Sequence, residues 1–339
     1  MTEFQQSKAI VLDYFRDMEE ATADTVGGVL GRHCSEDCQW FGSYPFREQH
    51  GLDAISKVFW QPLFTALSGL QRRQDIFIAG QNEIHGEQWV MSMGHFMGLF
   101  DGDWLGIPAS RKIVMLRYAE FNCVENGRIT KTGLFCDIIG LMQQVGINPL
   151  PTQTGASFVY PGPRDHDGLL FDPQPEAQAT ETLQLVNQMI GDLNVLNVSG
   201  DDHCSPAYLA KTWSDDMLWY GPAGIGATYT IPRYQEQHQY PFRKGLTDKT
   251  YNGHYCRFAE GNFACFFGWP NLTNTPTGGF LGLPGGTRAD MQVVDVYRRS
   301  GDKLVENWVL IDIPYWLKQQ DLDILERSRS IVNPGIVNK

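Results

Sequence analysis

At 339 residues the chain exceeds one ordinary core and implies about two domains, and its 42% hydrophobic content excludes disorder. A net charge of −12 excludes nucleic acid as the expected partner, because phosphate binding needs clustered Lys and Arg. No apolar run approaches the ~18–20 residues of a membrane span, and Met1 to Phe15 lacks the charged start and apolar run of a signal peptide, so a soluble cytoplasmic protein without membrane contact is expected.

In chain order, Ile10, Val11, Tyr14, Phe15 and Met18 fall at helical spacing within residues 6–32, and Ala54 to Leu67 reads as a second helix. The chain beyond Leu67 is strand-like. Ile113 to Cys123 enters a hairpin signal at Glu125-Asn126-Gly127, and a short helix spans Ile138 to Val145. A Pro/Gly-rich segment, 148–177, reads as an interdomain connection, yet its Phe158-Val159-Tyr160 and Leu169-Leu170-Phe171 are too apolar for a free linker and predict packing over one of the domains. Then the order repeats. Leu183, Val186, Met189, Ile190 and Leu193 share a helical face, Met291 to Tyr297 leads to Ser300-Gly301-Asp302, and Tyr315 to Leu322 closes as a helix.

The repeat is also written in the residues. Glu36-Asp37-Cys38-Gln39-Trp40-Phe41-Gly42 returns as Asp215-Asp216-Met217-Leu218-Trp219-Tyr220-Gly221. Trp104-Leu105-Gly106-Ile107-Pro108 returns as Phe280-Leu281-Gly282-Leu283-Pro284, with Arg111 and Arg288 following. Trp40 and Trp219 lie 179 positions apart, Leu105 and Leu281 176, and Asp137 and Asp312 175. Collinear matches whose spacing drifts by a few residues mark a duplication with loop insertions. The expected layout is a first domain over 1–147, a connection over 148–177, and a divergent second domain with a C-terminal tail over 178–339. Helices followed by antiparallel strands make each copy α+β.

The ordered set Trp40, Gly94-His95, Trp104 to Pro108, Gly127-Arg128-Ile129, Asp137 and Gln144-Val145-Gly146 resembles the SnoaL-like polyketide cyclases, members of the nuclear transport factor 2-like superfold. The resemblance covers residues 8–147, and 179–325 more loosely. It implies two tandem cone-shaped domains, each a curved, mostly antiparallel sheet backed by N-terminal helices around a pocket. It also implies ring closure by aldol chemistry without metal or organic cofactor, on a small oxygenated carbonyl compound. The family's aspartate matches Asp137 and its histidine matches His95, so Asp137 is the expected base and His95 the acid or orienting group. Asp312 is the second-copy equivalent of Asp137.

A carboxylate in an apolar pocket has its pKa raised toward that of a useful base. Phe135, Trp40, Tyr44 and Trp104 are candidate walls, Arg111 a candidate contact at the mouth, and Trp219, Tyr220, Trp269 and Trp308 candidates in the second copy. Structural readings stand beside these. Asp137 and Asp312 both occur where a strand gives way to a helix, where Asp is a favoured N-cap; His95 lies in an apolar strand; Arg111 and Arg288 suit solvated strand ends; Trp40 and Trp219 suit a core. Trp269 occupies the place of His95, and neither His238 nor His254 aligns with it. The second copy is therefore expected to be a degenerate partner in an intramolecular pseudo-dimer, with further homo-oligomerisation left open.

His33-Cys34 with Cys38 matches no zinc spacing, so no metal is expected. The seven cysteines form no CxxC pair and fit reduced thiols, and Cys136 is turned by alternation to the strand face opposite Asp137. Two other functions remain open on the same pocket: small-molecule binding without chemistry, and hydration, isomerisation or lactone hydrolysis.

Overall fold

A computed structural model describes residues 3–332; residues 333–339 of the expected tail lie outside them. The first half opens with helices α1 (Glu3–Glu19) and α2 (Val26–His33), and residues 52–66 form a further helical run. Their apolar faces cover a sheet made of β1 (Cys34–Gly42), β2 (Arg47–His50), β3 (Leu67–Gln81), β4 (Gln88–Phe100), β5 (Ile113–Glu125) and β6 (Arg128–Cys136). The strand order is β2-β1-β6-β5-β4-β3, with only the β1–β6 pair parallel. The β5–β6 hairpin turns at Asn126 and Gly127, both at positive φ (52° and 77°), as a two-residue turn between twisted strands demands. Helix α3 (Ile138–Gln144) closes the half.

The connecting segment does more than pack over one domain. Leu169 bridges to Phe77 at the edge of β3, while Ala156 bridges to Ala227 in the second half. Helix α4 (Glu176–Ser199) then starts the second half and ends at Gly200, whose φ of 75° provides a left-handed C-terminal stop.

The second half repeats the strand order. Its strands are β7 (Trp213–Tyr220), β8 (Ala227–Tyr229), β9 (Leu246–Tyr251), β10 (Cys256–Glu260), β11 (Phe263–Phe267), β12 (Leu272–Pro276), β13 (Ala289–Met291), β14 (Val293–Ser300) and β15 (Lys303–Ile311). Six of them run β10-β11-β14-β15-β7-β8, again with one parallel pair, β15 with β7. Here the long strands are broken. β9, β12 and β13 form a separate three-stranded sheet. One break falls at Gly268 to Asn271, where Pro270 has no N–H to give the ladder. Helices α5 (Ile313–Lys318) and α6 (Ile324–Val332) follow.

Each half is thus the helix-backed curved sheet that the resemblance implies, and the sheets are open rather than closed barrels. Their convex faces pack on one another through a third core containing Trp89, Met91, Phe121 and Phe135 from one side and Phe258, Phe267, Val294 and Trp308 from the other. Each such side chain contributes roughly 1.5–3 kcal/mol on burial. The approach is close: a Cβ on Gly80 would stand 2.7 Å from the Phe258 ring. Two reciprocal contacts tie the ends. Asp137 accepts the Ala223 N–H at 2.9 Å, and Asp312 accepts the Tyr44 N–H at 2.8 Å. Tyr44 and Ala223 are themselves 179 positions apart, the spacing of Trp40 and Trp219, so the clasp obeys the same internal two-fold relation.

Candidate active site in the second cone

Alternation along the strands decides where each expected residue goes. On β4, His95 shares the face of Met91 and Met93; on β6, Phe135 shares the face that leads to Asp137. That face is the convex one, turned to the other half. Asp137 accordingly caps α3, accepting the Gly140 N–H at 2.9 Å, and clasps Ala223 with its second oxygen. His95 sits 3.4 Å from Asp75 through Nδ1. Asp137 and His95 line a cavity between the halves rather than the first cone. Asp312 caps α5, binds the Tyr44 N–H and lies 3.8 Å from Arg47; burial pushes its carboxyl up to about 6.

The other expectations scatter. Trp40 and Trp104 are core, both packed on Phe46. Tyr44 donates its hydroxyl to Asp323 at 2.6 Å. Arg111 is exposed, 3.8 Å from Asp101, and Arg288 binds the Asp248 carbonyl and Thr250 at the surface. Phe135 packs on Phe267. Tyr220 stacks on Trp308, whose Nε1 donates to the Pro161 carbonyl. Trp269 donates Nε1 to Glu48 beneath the Arg47 guanidinium. Cys136 faces the first core, where burial pushes its thiol up. His33 is taken by Asp17 at 2.8 Å.

The first cone is filled. Trp40, Phe59, Trp60, Phe96, Trp104 and Tyr118 occupy it. Its inward carboxylate, Glu120, is held 2.7 Å from Arg72, both fully enclosed, and the guanidinium lies 3.7 Å from the Phe15 ring. Beside Trp60 and Phe96 about 10 Å³ remains, no more than one water needs. An accessible base in this cone, the sequence-based expectation, has no space to act.

The second cone is open. A cavity of about 180 Å³ lies between α4, residues 231–245 and the concave sheet face. Asp295 on β14 stands on its wall at the place Glu120 holds in the first half. Asp295 pairs with Val309 as Glu120 pairs with Leu134, both partners shifted by the 175 positions that separate Asp137 from Asp312. Among the described residues no arginine neutralises it. Asn307 on β15 donates Nδ2 to its Oδ1 at 3.1 Å, and Tyr297 on the same strand face acts on the same carboxyl electrostatically. Burial pushes Asp295 up to about 6, against the opposing pull of those two side chains.

Two imidazoles face the same space. His254 stacks on Phe266 at 3.8 Å and His238 on Trp219 at 4.3 Å. Burial holds both down to about 3, with the Arg257 charge adding to the effect at His254, so both are neutral at physiological pH. His238 Nδ1, Gln239 Nε2 and Asn271 Oδ1 have no hydrogen-bond partner among the described residues and belong to side chains on the cavity wall. Unpartnered buried polar atoms are costly. Of the expected residues only Trp219 lines this cavity. Asp295 had a visible signal: one carboxylate inside the apolar run Val293-Val294-Asp295-Val296-Tyr297.

No protein-family model and no curated protein matches the chain. Among solved structures it is similar to one described as a SnoaL-like polyketide cyclase from Jannaschia sp. CCS1, at 18% identity over 43% of this chain and 95% of that one, TM-score 0.34. It is likewise similar to an NTF2-like protein from Burkholderia xenovorans LB400, at 13% identity over 42% and 97% of the two chains, TM-score 0.30. A third is the epoxide hydrolase/cyclase-like enzyme SalBIII of pyran ring formation in polyether salinomycin, at 19% identity over 40% and 94%, TM-score 0.32.

Proposed function

We propose that the protein is an acid–base enzyme whose active site is the second cone, acting on a small carbonyl compound. The observation that carries this reading is Asp295: a carboxyl raised to about 6, without a cationic partner among the described residues, on the wall of an aromatic-lined cavity. Above pH 6 it is an anion with the basicity to remove a proton from carbon next to a carbonyl. Asn307 fixes its orientation. Gln239 Nε2, without a hydrogen-bond partner among the described residues, supplies a donor for the carbonyl oxygen as negative charge develops there. The resulting enolate either attacks a second carbonyl of the same molecule, closing a ring, or takes the proton back at another carbon.

About 180 Å³ falls below the ~300–1,000 Å³ of drug-sized sites, which favours a single-ring or short-chain substrate. Positioned acid–base work contributes roughly 10²–10⁴-fold, and the fit of the folded substrate against the aromatic wall supplies the rest. The test is a thermal-shift screen of small cyclic ketones and diketones, with product analysis of every stabilising compound. Conversion by the wild type and none by Asp295→Asn supports the reading. Stabilising compounds that are never converted would reduce the site to a binding pocket.

A further inference from the structure

The cavity between the halves is larger than that of the second cone, about 440 Å³, within the ~300–1,000 Å³ of small-molecule sites. The convex face of the first sheet, α3, the connecting segment and residues 223–226 wall it. Arg117 on β5 stands on that wall and is 5% exposed. Its Nη1 and Nη2 reach the carbonyls of Gly221 and Tyr220 at 3.5 and 3.2 Å, and its guanidinium lies 4.8 Å from the Tyr160 ring. Among the described residues, these two long bonds leave most of five donors unused. Asp137 and Asp75 act on its charge from a distance, but neither pairs with it: Asp137 spends its oxygens on two backbone N–H groups, and Asp75 faces His95. A buried guanidinium without a counter-ion is costly, and burial accordingly pulls Arg117 below the ordinary arginine range.

We propose that this interdomain cavity is a second ligand site, separate from the cone, that takes a small organic carboxylate with a flat apolar body. The carboxylate forks onto Arg117, the geometry that guanidinium favours. The body lies along Tyr160, Leu150 and Ile225, which give the cavity its apolar side. Asp137 and Asp75 repel a second negative charge, so a monoanionic carboxylate is selected over dianionic phosphate.

Benzoate is the probe, titrated into the full chain and followed by calorimetry and by amide shifts of Gly224 and Gly226. Saturable binding with a Kd of about 1 mM or tighter is expected, weakened about tenfold or more in both Arg117→Lys and Arg117→Met. Arg117→Lys keeps the charge and loses the fork, so it remains informative if Arg117→Met fails to fold. Asp295→Asn is expected to bind benzoate as the wild type does, which separates this site from the cone. Equal binding by the wild type and the Arg117 variants, no saturation, or phosphate binding as tightly as benzoate would each overturn the proposal.

Discussion

Replacing Asp295 by Asn removes a charge that the fold holds at a cost, and should therefore stabilise the protein while ending its chemistry. The carboxyl pKa rises from 3.8 to about 6 on folding. A tenfold change in an equilibrium constant is worth about 1.36 kcal/mol, so the ionised folded state carries a penalty of about 3 kcal/mol. Because the folded pKa is the higher one, the folded state binds the extra proton between about pH 4 and pH 6, and stability falls as pH rises through that window. Asn keeps the size of the side chain and an oxygen for Asn307 Nδ2. Asp295→Asn should then exceed the wild type by about 2–3 kcal/mol near pH 7.5 and match it near pH 4. Urea unfolding followed by tryptophan fluorescence at both pH values measures the difference. Asp312, His238 and His254, which also titrate abnormally, are common to both proteins and cancel in the subtraction. An Asn variant less stable than the wild type near pH 7.5, or a difference that does not change with pH, refutes the reasoning.

Asp137→Ala loses the α3 cap and the clasp to Ala223, and should cost about 2–3 kcal/mol by chemical denaturation while leaving turnover in the second cone intact. Glu120→Gln strands the Arg72 charge in the filled cone and should cost about 3–5 kcal/mol, most of it recovered when Arg72→Met is added; the same denaturation series reads both. His254→Phe keeps a ring to stack on Phe266 and removes an imidazole whose pKa is depressed from 6.5 to about 3. A depressed base loses stability as pH falls through that interval, so the Phe variant should retain more of its stability than the wild type on acid titration followed by circular dichroism.

The duplication and the class of each half were legible because they are carried by periodicity and by collinear landmarks such as Trp40 with Trp219. The site was less legible, for a reason of parity. Motif matching reaches Asp137 and His95, but which face of a curved sheet is concave depends on the helices that cover it, and both residues fall on the face buried against the other half. Nor does the sequence say which cone is filled. That depends on whether the inward carboxylate finds Arg72 across the pocket, as Glu120 does, or stands with Asn307 and Tyr297, as Asp295 does. The bland reading of Asp137 as a cap was present in Asp137-Ile138-Ile139-Gly140, and the structure gives it a partner that no local pattern contains, the Ala223 N–H 86 positions away.

Solvent exchange tests the role of Asp295 most directly. A small cyclic ketone held in D₂O with the protein, followed by proton NMR, reports removal of the hydrogen next to the carbonyl whether or not a ring closes. Exchange is predicted with the wild type and with Asp137→Asn, rising in rate as pH passes about 6, and background exchange alone with Asp295→Asn. Undiminished exchange in Asp295→Asn, or its loss in Asp137→Asn with the fold retained, would contradict the placement of the base in the second cone.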